Sequence, residues 1–153
     1  MKKFRYSMES VLQIKLKLED QAKIAYGTAR MKLTQEEENL EKLKKRQRLL
    51  EADLRDLRAG ILDLYQIIQC EQAIEYTKTK IKQQLTVVRN AAHRLEVARI
   101  RLNDAMVGRK TQERLKEKAF EEYIQEFDAE ERKEVDELNS FNYNSPMLSG
   151  EDR

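Results

Sequence analysis

Apolar residues in the first third of the chain recur at intervals of seven. They form two rows, Ala22, Ala29, Glu36, Leu43, Leu50, Leu57 and Tyr26, Leu33, Leu40, Gln47, Leu54, apolar at nine of eleven positions. The chain-wide hydrophobic share of 40% would give fewer than five. A heptad stripe of this kind predicts a coiled-coil helix and sets aside intrinsic disorder, which has no such periodicity. A second stripe, Ile67, Ile74, Ile81, Val88, Leu95 and Leu102, is apolar at six of six positions. Its companion row is poorer: Glu71, Lys78, Leu85, Ala92, Arg99 and Met106.

Cap signals bound the two helices. Ser7 stands where an N-cap is expected, with Tyr6 and Val11 spaced as a hydrophobic staple, so the first helix should begin near Met8. Arg58-Ala59-Gly60 reads as its end, with Gly60 at a left-handed C′ position. Asp63-Leu64-Tyr65-Gln66 has the form of a capping box and predicts a second helix from Leu64 to about Asn139. Gly108 lies inside it, costing about 1 kcal/mol relative to Ala without ending it.

Folding back at 60–63 makes facing position numbers sum to about 124. Leu57 would then meet Ile67, Leu50 meet Ile74, Leu43 meet Ile81, Ala29 meet Leu95 and Ala22 meet Leu102. Small would face large at the last two, as a packed seam requires. A short connection also makes antiparallel neighbours the default. The alternative, one continuous helix dimerising with another chain, leaves Gly60 and the Asp63 cap without a role. Towards the start of the first helix the second row slips to Phe4, Val11, Leu18 and Ala25, which would relax the supercoil. The fold class expected is all-α: an antiparallel two-helix coiled-coil hairpin over 1–140, a rod of ~110 Å at 1.5 Å per residue. Its second helix would project by about 20 residues, ~30 Å, and 141–153 would form a disordered tail.

Composition narrows the picture further. With 4 Gly and 1 Pro in 153 residues, the turns that a sheet fold needs are missing. A single Cys70 makes no intrachain disulfide, and one His93 makes no zinc-like cluster. Cys70 is read as a packing or surface thiol and His93 as a flanking side chain. No run of about 18 apolar residues is present, and Met-Lys-Lys-Phe-Arg-Tyr-Ser lacks the apolar stretch of a secretory signal, so a cytosolic protein is expected. No phosphate loop, nucleophile elbow or metalloprotease motif occurs, and a two-helix rod offers no pocket to tune a pKa. Neither an enzyme nor a cofactor is expected.

Charge carries more information than its total of +2 suggests. Residues 76–118 hold twelve basic against four acidic side chains, a net of +8, whereas residues 121–138 hold nine acidic against two basic, a net of −7. A basic shaft beside an acidic tip suggests partners of different electrostatic character. Within the tip, Tyr123, Ile124 and Phe127 fall at helical spacings beyond the reach of the first helix. They form either a docking face or a surface that Phe4 and Tyr6 fold over, together with Phe120.

Both ends of the chain resemble the FliJ family of flagellar type III export proteins. Lys3-Phe4-Arg5-Tyr6-Ser7, followed by Val11-Leu12 and Glu19, is similar to the opening of that family. Leu115-Lys116-Glu117-Lys118 and Phe120, then Glu130-Glu131-Arg132-Lys133-Glu134-Val135-Asp136-Glu137, resemble its C-terminal helix. The resemblance spans about residues 3–140. It implies a stalk-like rod, similar to the central stalk of rotary ATPases, whose terminal end enters a FliI-like export ATPase ring. It also implies contact with a FlhA-like export gate just after the hairpin, handling of export chaperones, and a place at the cytoplasmic face of the membrane at the flagellar base. Carried over, the ATPase contact falls on Tyr123, Phe127, Arg132, Lys133 and Asp136, and the gate contact on Ala73, Tyr76, Thr77 and Lys80. Family members often have an aromatic residue near the position of Ala73, which this sequence lacks.

Two other readings remain open at this level. The +8 shaft could bind nucleic acid or another anionic surface, although aromatic residues are scarce on it and Val97 and Ile100 interrupt it. The hairpin could also be a structural tether or the stalk of a related non-flagellar secretion system.

Overall fold

The computed structural model describes residues 3–150, with side chains through Asn144. Two helices make it up, α1 (Glu9–Ala59) and α2 (Leu64–Gly150), joined by the turn 60–63, and no strand occurs among the described residues. The expected helical hairpin is therefore the fold. Contacts divide the chain into two units, Glu19–Ala105 and the residues up to Leu18 with those from Met106 onward.

In the Glu19–Ala105 unit, both expected rows of α1 point inward: Leu40 and Glu36 are buried, and the remaining nine members are half-buried. The row does not slip towards the start of the helix. It continues through Glu19, which is buried, while Leu18 and Ala25 are exposed. A carboxylate at a seam position disguises the heptad; here Glu19 is held by Lys23 one turn on, at 3.3 Å. On α2 the Ile67–Leu102 row is inward as expected, but its companion is not. Glu71, Lys78, Leu85, Ala92 and Arg99 are exposed, and the inward row is Cys70, Thr77, Gln84, Ala91, Ala98 and Ala105, one residue earlier. Those side chains are small or amphipathic, so hydrophobicity alone does not mark them, yet small residues allow two helix backbones to approach closely.

The partners across the seam differ correspondingly. The Gln84 amide donates to a Glu36 carboxylate oxygen at 2.6 Å and to the Glu36 carbonyl at 3.0 Å, and the Cys70 thiol donates to the Leu50 carbonyl at 3.3 Å. At these two points a first-row residue of α1 meets the second row of α2. Glu36 also pairs with Lys32 at 2.9 Å, and the Lys32 and Gln84 hydrogen bonds hold its carboxyl below the ordinary value of 4.5. A buried carboxylate is tolerable only with such partners.

The ends of the helices show how far local signals reach. Asp63 caps α2 as expected, its carboxylate accepting from the Tyr65 and Gln66 amides at 3.1 and 3.4 Å. Gly60 does not take a left-handed conformation: no glycine among the described residues has positive φ, and its amide continues the helical ladder to the Asp56 carbonyl at 3.2 Å. At the other end Met8, not Ser7, occupies the cap position, because its carbonyl accepts the first helical bond, from Leu12. Helix α2 continues past Asn139 to Gly150. Neither Gly nor Pro occurs between Gly108 and Pro146, so the backbone has no stop at Asn139, where the helix end was expected; Pro146 lies within the helix, and residues 151–153 of the expected tail lie outside the described residues.

Candidate functional site

In the other unit, the chain start is fastened to α2. Tyr6 accepts the Glu9 amide in a turn at 3.1 Å, and its hydroxyl donates to the buried Gln112 side chain at 2.8 Å. Glu9 pairs with Lys116 at 2.8 Å, which, with the Gln13 amide, lowers its carboxyl pKa. Gly108 leaves room for Lys15, whose methylenes lie 3.4 Å from where a Cβ would stand. The extended residues ahead of α1 then set Phe4 edge-on to Phe120, centroids 5.2 Å apart, and against Tyr123 at 5.3 Å. Tyr123 in turn lies 6.3 Å from Phe127. Of the two sequence alternatives for this aromatic face, the structure takes the covered one as far as Tyr123, with Phe4 as the cover and Tyr6 turned instead to Gln112. Phe120 and Ile124 stay partly exposed.

Beyond Phe127 the cover ends, and every residue from 128 to 144 is exposed. The five residues expected at an ATPase contact do not share a face. Nine residues, two and a half turns, separate Tyr123 from Arg132 and Phe127 from Asp136, so each pair points to opposite sides of the helix. Arg132, Lys133 and Asp136 line a shallow groove with Ala129, Glu137 and Ser140, whereas Tyr123 and Phe127 lie on the aromatic side. Sequence reasoning missed that this aromatic side goes on through Val135, Leu138 and Phe141, all exposed. The eleven-residue step from Phe127 to Leu138, three turns, was a signal hidden among the surrounding charges.

The residues expected at a gate contact also separate. Thr77, at 2% exposure, is sealed in the seam with its hydroxyl donating to the Ala73 carbonyl at 2.8 Å. Ala73 is half-buried. Tyr76 is exposed, and the Lys80 ammonium stands 5.3 Å from its ring centroid, a cation–π pair on the surface. Only Tyr76 and Lys80 are presented together. Nearby, the turn leaves Ile61, Leu62, Leu64, Tyr65 and Ile68 exposed, an apolar group at the hairpin that no heptad position marks.

Part of the basic surface is neutralised locally. Arg99 holds Glu96 at 2.7 Å, lowering the carboxyl pKa and raising its own; Arg109 holds Glu113 at 2.8 Å, and Lys78 lies 3.5 Å from Glu75. Cys70 is buried and His93 exposed. Among the described residues no cluster of metal-ligating side chains occurs, and no helix is long and apolar enough to cross a membrane.

A sealed seam, surface features confined to its margins and a helix end running out of cover define a coiled-coil scaffold protein of the helical-hairpin class. Residues 4–148 match the family described as flagellar FliJ protein, and the chain belongs to that family. The family is one of structural components of flagellar type III export. Among solved structures, the chain is similar to a YscO homologue from Chlamydia trachomatis, with a TM-score of 0.57 and 22% identity over 93% of this chain and 96% of that one, a likeness of fold. No curated protein matches the sequence.

Proposed function

We propose that this chain is a non-enzymatic stalk of the flagellar export apparatus. Its terminal end binds the ring of a FliI-like export ATPase, and its hairpin side couples that ring to a FlhA-like gate and to export chaperones. It works in the cytoplasm, against the cytoplasmic face of the membrane at the flagellar base, and serves motility. Family membership together with the uncovered end of α2 carries this reading. A stalk must transmit position between partners, which suits two helices zipped along a sealed seam with free chemistry at their margins. Tyr76 and Lys80 are the candidates presented for the gate; Ala73 and Thr77 then act from beneath, by holding the helix on which the pair sits.

The test is ATP hydrolysis by the export ATPase with the full chain or with a chain ending at Asp128. That truncation keeps the Phe4–Phe120–Tyr123–Phe127 cluster, and the removed residues whose side chains are described, 129–144, are all exposed. Stimulation by the full chain and its loss with the truncation are expected. Equal stimulation by both would sink the assignment.

A further inference from the structure

Helix α2 carries one apolar stripe past the point where the rest of the chain covers it. Phe120, Ile124, Phe127, Val135, Leu138 and Phe141 fall within about a third of the helix circumference at 3.6 residues per turn. Phe120 is in contact with Phe4 directly and Phe127 through Tyr123; the last three are more than half exposed. Within its own unit the stripe continues the covered side of α2, whose other occupant upstream is the start of α1, held there by the Glu9–Lys116 pair. Around it, residues 121–138 carry a net charge of −7. Glu131 lies within the stripe and Glu134 at its edge.

We infer that this stripe is the docking face for a basic amphipathic helix of a partner protein, one that extends the seam of the hairpin by an added helix. The continuity fixes the kind of packing, because an apolar stripe at helical spacing is matched by another helix laying its own stripe into it. The charge selects the partner. A second copy of the same tip would bring −7 against −7, whereas Lys and Arg flanking a Leu or Ile stripe would pair with Glu130, Glu131 and Glu134. The Arg132, Lys133 and Asp136 side is then the outer face of the docked pair. This deepens the reading of the terminal end as the ATPase-contacting end and rests on it only for which protein supplies the helix.

The probe is a synthetic helix of four heptads with Leu at the core positions and Lys at the flanking ones, compared with a twin carrying Glu for Lys. Binding to the intact chain is read by fluorescence anisotropy at low and high salt. The Lys helix should bind at least about tenfold more tightly than its twin, with affinity falling as salt rises. The double variant Val135→Asp with Leu138→Asp should weaken binding by about tenfold or more, and Arg132→Ala with Lys133→Ala by less than about twofold. Circular dichroism should show unchanged helix content in each, since the residues altered are exposed. No binding of the Lys helix, equal binding of both helices, or indifference to the stripe variant would overturn the inference. So would a self-associating wild-type chain that the stripe variant renders monomeric, which would make a second copy the occupant. If the stripe variant loses the Lys helix yet stimulates the ATPase as fully as wild type, the docking face and the stalk assignment both stand and a protein other than the ATPase supplies the helix. If the Lys helix binds as expected but the ATPase does not respond to the chain, the stalk assignment fails and the docking face stands.

Discussion

Residues 70–105 and 128–144 belong to one helix and treat apolar side chains in opposite ways. In the first stretch the inward row is small or polar, Cys70, Thr77, Gln84, Ala91, Ala98 and Ala105, and four of the six are buried. In the second, Val135, Leu138, Phe141 and Tyr143 are all exposed. A two-helix seam covers a residue from one side only, so closeness of the partner backbone, not side-chain size, decides what is buried. Large apolar residues left outside mark where this chain ends its own packing and leaves surface for another.

Substitutions with the same chemistry should therefore separate the regions. Ile74→Ala, at a buried seam position, should destabilise by about 3 kcal/mol, whereas Leu138→Ala should stay within about 0.5 kcal/mol; urea titration followed by circular dichroism compares them. Similar losses at both sites would show that the free end is covered after all. Phe4→Ala should cost about 2 kcal/mol, since it removes one half-buried ring and two ring contacts, and should raise hydrogen exchange around Phe120 and Tyr123. No change there would mean that the chain start does not bound the covered region.

Acid should act on the covered side first. The Glu36 carboxyl is held below 4.5 in the fold, so its contribution is complete above that value and is lost as pH falls through the lower folded value. Melting temperature should decline below about pH 4.5 in the wild type, and less steeply in Glu36→Gln. Equal acid sensitivity would dissociate the seam carboxylate from stability. Smallest is Gly60→Ala. With no positive φ to strain and only an ordinary 3.6 Å contact from the new Cβ to the Asp56 carbonyl, it should be neutral or stabilising by up to about 1 kcal/mol. A clear loss in thermal melting would restore the left-handed cap.

Much of the hairpin was legible because the relevant signals are local. Asp63 caps what its spacing promised, and both rows of α1 face inward because Leu, Tyr and Ala recur every seven residues. The companion row of α2 was not legible. Leu85 is more apolar than Gln84, yet Gln84 turns inward because Glu36 across the seam accepts its amide. Glu19 hid the true heptad of α1 for the same reason: a charged side chain at a seam position reads as surface until its partner is known. At the candidate site the residue types were found but their grouping was not, since Tyr123 and Arg132 lie half a turn apart in phase on one helix.

The sequence by itself determined two long helices, the turn at 60–63, the segregation of charge and the family, because periodicity, caps and end motifs are properties of neighbouring residues. Tertiary structure alone decided which row of α2 closes the seam, where Phe4 comes to rest and where the cover ends. Those outcomes depend on distances between residues far apart in the chain, and a polar side chain is bought into the seam only by the partner it meets there.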